Sequence, residues 1–274
     1  MIENPRADRV KELAKLRKRD GRSSSGLYLL EGPQTLREAL AFSKERLVEI
    51  LITPGAFDRD EELSNSVRDS GIRTTLVSER VLSSLADTVT PQGCMAVCRK
   101  FDTTIASVLK PKSGKPKLVV ILEQVRDPGN AGTIIRAADA AGADGVIFSG
   151  TSVDLYNSKL VRATTGSIFH LPIAAEVDLV EAISKSKDAG LRVFAADIKG
   201  KDLLDTRNSG ELSQPTAWLF GNEARGLEDE ALKLADQVLK VPIYGKAESM
   251  NLATAASVCV FESAFAQRNK DLMA

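Results

Sequence analysis

The sequence predicts an α/β protein in two parts. Residues 118–274 should form a mostly parallel sheet flanked by helices, and residues 1–101 a smaller α/β unit. Three observations predict this. The apolar runs at 118–122, 146–148 and 217–220 are continuous rather than alternating, the pattern of strands covered on both faces. They alternate with stretches of helical spacing, so the connections are crossovers. Between the two parts, residues 102–117 change composition. Lys110-Pro111-Lys112-Ser113-Gly114-Lys115-Pro116-Lys117 reads as an exposed linker. A chain of 274 residues also fits two modest domains better than one.

The elements follow in order. Val10, Leu13, Ala14 and Leu16 have helical spacing within 5–19. Residues 22–26, Arg-Ser-Ser-Ser-Gly, read as a loop. A short apolar strand at 27–30 is closed by Glu31-Gly32, and a helix follows at 34–42. A strand at 47–53 stops at Pro54-Gly55. A polar-faced helix at 58–70, a strand at 73–77, a short helix at 81–85 and a strand at 93–99 complete the first part. The second part begins with strand 118–122, helix 131–141 and strand 146–148. A helix or turn at 157–163, a strand at 169–173 containing Pro172 and a helix at 179–186 come next. Strands at 191–196, 217–220 and 237–242 lead to a long final helix at 250–267.

Charge is balanced at 37 basic and 37 acidic groups, so no global basic field announces nucleic acid. Locally, residues 1–22 carry eight basic groups against four acids. Three cysteines, an odd number, argue against a disulfide framework and fit a reducing compartment. Cys94 and Cys98 read as small buried apolar residues. The single histidine, His170, cannot by itself support a His-rich metal site or a hydrolase triad, and no metal is expected. The charged N-terminus shows no signal peptide. No apolar run approaches the roughly 20 residues of a membrane helix, so a cytoplasmic location is expected.

Three polar stretches lie at strand ends, where α/β folds bind ligands. The first is Asn130-Ala131-Gly132-Thr133-Ile134-Ile135-Arg136. Asn130 is a plausible helix N-cap. Arg136 lies with Thr133 and Ala140, off the apolar stripe of Ile134, Ile135, Ala138 and Ala141. The helix dipole favours anions near this end. The arginine therefore serves either an anionic ligand such as RNA phosphate or an ordinary ion pair. The second is Leu219-Phe220-Gly221-Asn222-Glu223-Ala224-Arg225-Gly226. Here Gly221 lets a ligand approach the backbone or simply makes a turn. The third is Val241-Pro242-Ile243 followed by Ser249-Met250-Asn251-Leu252. Pro242 cannot donate to a ladder, and Ser249 could cap the final helix.

These three stretches, in this order, resemble the motifs of the SpoU (TrmH-like) RNA ribose methyltransferases of the SPOUT class. The resemblance covers roughly residues 118–268. It implies a deep trefoil knot holding S-adenosylmethionine and methyl transfer to a ribose 2′-hydroxyl of RNA. It also implies a homodimer with the site completed across the interface. It assigns Asn130, Arg136, Glu223, Ser249 and Asn251 to the catalytic set, and Phe220, Gly221, Val241, Ile243, Met250 and Leu252 to the cofactor. An arginine is a poor base. Arg136 is therefore expected to stabilise the developing alkoxide while a phosphate, or Glu223, takes the proton.

The first part resembles the substrate-binding domain that often precedes the SpoU domain, and the small α/β domain of some kink-turn-binding ribosomal proteins. Its basic leading segment, with Arg17, Lys18, Arg19 and Arg22, is expected to grip RNA phosphates. The lysines of the linker offer a further phosphate contact. The final helix, apolar nearly all round, suits a dimer interface. Large-subunit (23S) ribosomal RNA is the favoured substrate, with transfer RNA as the enzymatic alternative. A non-catalytic RNA-binding assembly factor is the alternative of another class. The lack of G-x-G-x-x-G after a strand and of a Walker A sequence excludes the usual nucleotide-dependent oxidoreductases.

Overall fold

The structure, a computed structural model, describes residues 1–101, 103–111 and 114–273. Asp102, Lys112 and Ser113 of the expected linker lie outside the described residues. The chain forms two compact units. One comprises Met1–Phe101 with Asp154–His170, the other Asp102–Val153 with Leu171–Ala274.

The first unit begins with α1 (Asp8–Ala14) and α2 (Arg19–Ser25). β1 (Leu27–Glu31), α3 (Pro33–Phe42), β2 (Leu47–Ile52), α4 (Pro54–Arg59) and α5 (Glu61–Ser70) follow. β3 (Thr74–Leu76), α6 (Glu79–Leu85) and β4 (Cys94–Arg99) complete it. Its sheet has the order β1-β4-β2-β3, antiparallel except for the β2–β3 pair. Val10, Leu13 and Leu16 pack with Val81, Leu82, Leu85 and Met95 to make its core. The expected loop at 22–26 is instead largely helical. The Ser24 and Ser25 hydroxyls bond back to the Gly21 carbonyl, and Gly26 ends the turn at φ 68°. Gly21 has no room for a side chain, since a Cβ there would lie 2.1 Å from the Lys15 carbonyl oxygen.

The second unit holds α7 (Ile105–Leu109), β5 (Leu118–Glu123), α8 (Pro128–Ala140) and β6 (Gly145–Ser149). The helix α9 (Ser158–Ala163) lies in the segment that belongs to the first unit. β7 (Ile173–Val177), α10 (Leu179–Asp188), β8 (Arg192–Asp202), α11 (Leu203–Asn208), β9 (Thr216–Phe220), α12 (Asp229–Leu234), β10 (Gln237–Lys240) and α13 (Leu252–Met273) complete the second. Its six strands are all parallel, in the order β10-β8-β9-β5-β6-β7. Such a sheet needs cover on both faces, which is why β5 and β9 are buried almost end to end.

Two boundaries differ from the expected ones. The linker of 102–117 contains α7, whose Ile105, Val108 and Leu109 are buried with Val119, Ile147 and Ala174. Three apolar residues at helical spacing outweigh the composition shift around them. The expected second part is also interrupted by Asp154–His170, which belongs to the first unit. There the Tyr156 hydroxyl bonds both the N–H and the carbonyl of Phe101, at 2.5 and 2.9 Å. The expected strand at 169–173 begins only at Ile173, because Ser167–Phe169 turns as a 3-10 helix and Pro172 precedes the ladder.

Candidate active site

Strand order reverses at β5, whose neighbours are β6 and β9. At such a switch point the loops leaving the two strands part and open a crevice at their carboxyl ends. Leu118 pairs with Thr216 and Leu122 with Phe220, so the two strands end level. The loops after them are therefore neighbours.

They are tied together by hydrogen bonds. The Asn222 side-chain amide donates to the Gln124 carbonyl at 2.9 Å. Arg225 donates to the Gln124 side-chain oxygen at 3.0 Å. The Glu223 carboxylate accepts from the backbone N–H groups of Arg126 and Asp127, at 3.1 and 2.9 Å. Both of its oxygens are thus engaged in shaping the 124–127 turn. Gln124 stands at φ 52°, a conformation that side-chain-bearing residues rarely adopt, so the turn is held rather than relaxed.

Asp127, not Asn130, caps α8. Its carboxylate accepts from the Asn130 N–H at 2.7 Å, and Pro128 occupies the first turn, where its missing N–H costs nothing. The Asn130 side chain is thereby left for another contact. Its oxygen accepts from the Asn251 amide at 3.0 Å. The Asn251 oxygen in turn accepts from the Ala253 and Thr254 N–H groups at the head of α13, so Asn251, not Ser249, makes this cap. Glu223, Asp127, Asn130 and Asn251 form one connected chain of polar contacts joining the three motifs.

Arg136 and Ser249 stand outside that chain. Arg136 is exposed, on the face of α8 that also bears Thr133 and Ala140, and has no hydrogen bond or ion pair among the described residues. Ser249 is exposed and likewise unpartnered among them.

Gly221 has a reason of its own. A Cβ there would lie 2.5 Å from the Gly226 carbonyl carbon, because the loop doubles back through the paired Asn222 and Gly226 backbones. Close approach at this glycine is to its own chain. Residues 241–251 run without regular structure. Backbone groups of 241–250 make no backbone hydrogen bond among the described residues. Val241, Met250 and Leu252 are half-buried, Ile243 is exposed, and Phe220 is buried at the end of β9. Unpaired backbone donors and acceptors beside half-buried apolar side chains fit a cofactor with a planar base and a polar tail. A separate cavity of about 160 Å³ opens beside Gln124, Asn222 and Arg225, and none of those six expected cofactor residues lines it.

Sequence reasoning missed Gln124, Asn222, Arg225 and Asp127. Only Asp127 carried a local signal, the Asp-Pro-Gly start of a helix. Of the expected RNA contacts, Arg22 is corrected outright. It is buried, its Nε and Nη2 both donate to Asp154 Oδ2, at 2.9 and 2.5 Å, and its Nη1 donates to the Leu16 and Arg17 carbonyls. Arg17 is paired with Asp87 at 2.9 Å. Lys18 and Arg19 are exposed. The final helix is also less uniform than expected. Ala253, Ala256, Cys259, Val260 and Ala264 are buried, whereas Phe265 is 53% exposed beside Phe261. Among the described residues no group of His, Cys, Asp and Glu could hold a metal, and no helix is long and apolar enough to cross a membrane.

The model of the SpoU rRNA methylase family matches residues 117–261, just over half of the chain. That of the MRM3-like substrate binding domain matches residues 7–96. The chain is 34% identical to the 23S rRNA (guanosine(2553)-2′-O)-methyltransferase RlmP of Bacillus subtilis, over 95% of this chain and 97% of that one. An AdoMet-bound rRNA methyltransferase from Sinorhizobium meliloti superposes with a TM-score of 0.81 at 30% identity, covering 96% of each chain. The SpoU methyltransferase AviRb of Streptomyces viridochromogenes, also with AdoMet, superposes with a TM-score of 0.81 at 25% identity, over 96% of this chain and 99% of that one.

Proposed function

The chain belongs to the SpoU rRNA methylase family, and on that premise we propose that it methylates a ribose 2′-hydroxyl of 23S ribosomal RNA, with S-adenosylmethionine as donor. The observation that carries this reading is the connected set Glu223, Asp127, Asn130 and Asn251, which joins all three motifs beside an exposed, unpaired Arg136. Relatives named for 23S rRNA support the substrate. That substrate places its work in the cytoplasm.

Phe220, Gly221, Val241, Ile243, Met250 and Leu252 would hold the donor, which supplies an electrophilic methyl group on its sulfonium. Arg136 would approach the substrate ribose and stabilise charge on the 2′-oxygen as its proton leaves. A neighbouring RNA phosphate is the better proton acceptor, because Glu223 is committed to two backbone N–H groups. Asn130 and Asn251 fix one another, and with Ser249 would orient the reacting groups.

The 241–251 segment is read as the threaded part of a trefoil knot. This is supported by its course from the edge strand β10 back to α8, beside which α13 packs. A homodimer through α13, with Phe261 and Phe265 at the contact, would cover the apolar surface left exposed.

The test is incubation with tritiated S-adenosylmethionine and, separately, deproteinised 23S rRNA, 16S rRNA and bulk tRNA. Label in 23S rRNA alone, lost in Arg136→Ala, is expected. Label in tRNA alone would move the substrate to tRNA. Measurable donor binding without label in any RNA would point to a ribosomal particle as substrate. Absence of both donor binding and label would overturn the reading.

A further inference from the structure

The first unit contains a cavity of about 340 Å³ that none of the chemistry above uses. It lies at the end of β1 and the start of α3. Leu82 and Met95 are among the apolar residues lining it, and Glu31, Thr35, Gln92 and Arg162 among the polar ones. A volume of a few hundred Å³ is the scale of a small-molecule site.

Its polar groups are unevenly satisfied. The buried Glu31 carboxylate accepts from the Asp87 N–H at 3.0 Å and the Thr88 hydroxyl at 3.2 Å. Arg162 faces it at 3.1 Å, yet its buried Nη1 has no hydrogen-bond partner in aligned geometry. Thr35 is only 5% exposed, and its hydroxyl is unpartnered among the described residues. A buried donor left unmatched is costly unless a ligand or water completes it. At the mouth, Gly32 takes φ 94°, and a Cβ there would lie 3.3 Å from the Gln92 side-chain oxygen. Thr165, also lining the cavity, stands at φ 53°, and such strained residues cluster at ligand clamps.

The charges decide what fits. Glu31 and Arg162 neutralise one another in the same wall, so the site offers no net charge to a phosphate. A phosphate would also face the Glu31 carboxylate. A neutral planar group with hydrogen-bonding edges suits both the apolar lining and the polar edge made by Thr35, Gln92 and the Glu31-paired Arg162. RNA presents such a group wherever a base is unstacked from its neighbours, and single-stranded bases are what sequence-reading proteins recognise. We propose that this cavity receives one unstacked nucleobase of the RNA substrate, with Arg162, Thr35 and Gln92 reading its edge. The proposal rests on the RNA-methyltransferase reading for the identity of the ligand.

The test uses the full chain and two variants chosen to keep the fold. Thr35→Val has the same shape and removes a hydroxyl that has no protein partner. Gln92→Trp blocks the mouth from an exposed position. Saturation-transfer NMR is run with uridine, cytidine, adenosine and guanosine, each alone and without methyl donor, and with ribose 5-phosphate as the anionic probe. At least one nucleoside should give base-proton signals, weakened about three- to tenfold in Thr35→Val, the loss of one neutral hydrogen bond. The signals should vanish in Gln92→Trp, and ribose 5-phosphate should give none. No nucleoside signal, a signal unchanged in both variants, or a stronger signal from ribose 5-phosphate would overturn the proposal. No arm of this experiment requires turnover. Failure of the labelling assay would therefore remove the methyltransferase reading without altering what the nucleosides report.

Discussion

Two arginine-bearing regions of the molecule are used in opposite ways. In the leading segment, Arg9 is bound to Glu49, Arg17 to Asp87 and Arg22 to Asp154. In α8, Arg136 stands exposed with no partner among the described residues. The first region is dense in positive charge and reads as a nucleic-acid grip. The second shows one cation in a helix made mostly of small and apolar residues. The difference teaches that density of charge is weak evidence of a ligand. A buried cation must be paired, and a paired cation is occupied. A cation left exposed and unpaired, as Arg136 is among the described residues, is the one available to chemistry.

The strongest test of this contrast is Arg22→Ala. It leaves the half-buried Asp154 without its cation, with only the Tyr156 N–H among the described residues still donating to it, and breaking a buried pair costs about 3–5 kcal/mol, the upper end of what is expected here. Chemical denaturation should show a large loss in the transition that reports the first unit. Arg136→Ala should shift the same curve by less than about 0.5 kcal/mol, as surface substitutions do. Equal losses in both would end the comparison.

Next in size is the reciprocal effect on activity. Arg136→Ala should reduce methyl transfer by about 10²- to 10³-fold, the usual effect of removing one donor to a developing oxyanion. Donor affinity, measured by equilibrium dialysis, should hold. A variant that loses donor binding instead would make Arg136 a cofactor residue.

The pairing of Arg9 with Glu49 should be visible in acid. Burial alone pushes the Glu49 carboxyl up, but hydrogen bonds from Arg9 and Thr75 and the charges of Arg9 and Arg73 outweigh it and hold it below the usual range. A carboxyl lowered on folding contributes stability above its unfolded pKa, about 4.3, and loses it as pH falls through the folded value. Melting temperature should therefore drop below pH 4 more steeply in the native protein than in Glu49→Gln. Parallel slopes would show that Glu49 does not carry the effect.

Glu223→Gln sharpens the account of the second motif. An amide can accept at its oxygen but presents N–H groups to one of the two backbone donors. About 1–3 kcal/mol of turn stabilisation should be lost. We expect kcat to fall about tenfold or more, with little change in donor affinity, and Glu223→Asp to restore part of it. Removing a proton acceptor would instead abolish the acidic limb of the pH–rate profile, which its protonation sets, and removing a positioning residue would not.

Much of the fold was legible because its central strands are unambiguous. Strands β5 and β9 sit in the middle of a parallel sheet, so residues 118–122 and 217–220 are apolar at every position. Edges were less readable. β8 continues through Ile198 and Lys201 to Asp202, where among the described residues it pairs with β10 alone, so the extension is polar and half-exposed. Helices of six residues, such as α11 and α12, carry too little periodicity to announce themselves. In the site, the residues at motif positions could be named, but not their partners. Asp154 lies 132 positions from Arg22, and Asn251 lies 121 from Asn130. Nor could Gly221 reveal that Gly226 returns against it. Contacts of that separation are properties of the topology, not of any local window.

The smallest expected effect concerns the charge that remains in the basic segment. Lys18 is exposed and unpartnered among the described residues, while Arg17 and Arg22 beside it are tied to carboxylates. Where the segment touches RNA phosphate, Lys18 is one of its cations to spare, with the exposed Arg6 and Lys15. Lys18→Gln should then weaken binding of 23S rRNA fragments only a few-fold. The slope of log K against log salt should fall by about 0.7 to 0.9, one phosphate's worth of released counterions. A slope change of several units would mean that the ion pairs of Arg17 and its neighbours open on RNA. The segment would then be a grip after all, held closed in the free protein by its own carboxylates. No change would make it wholly structural, and leave recognition to the strand-end crevice and the cavity beside Arg162.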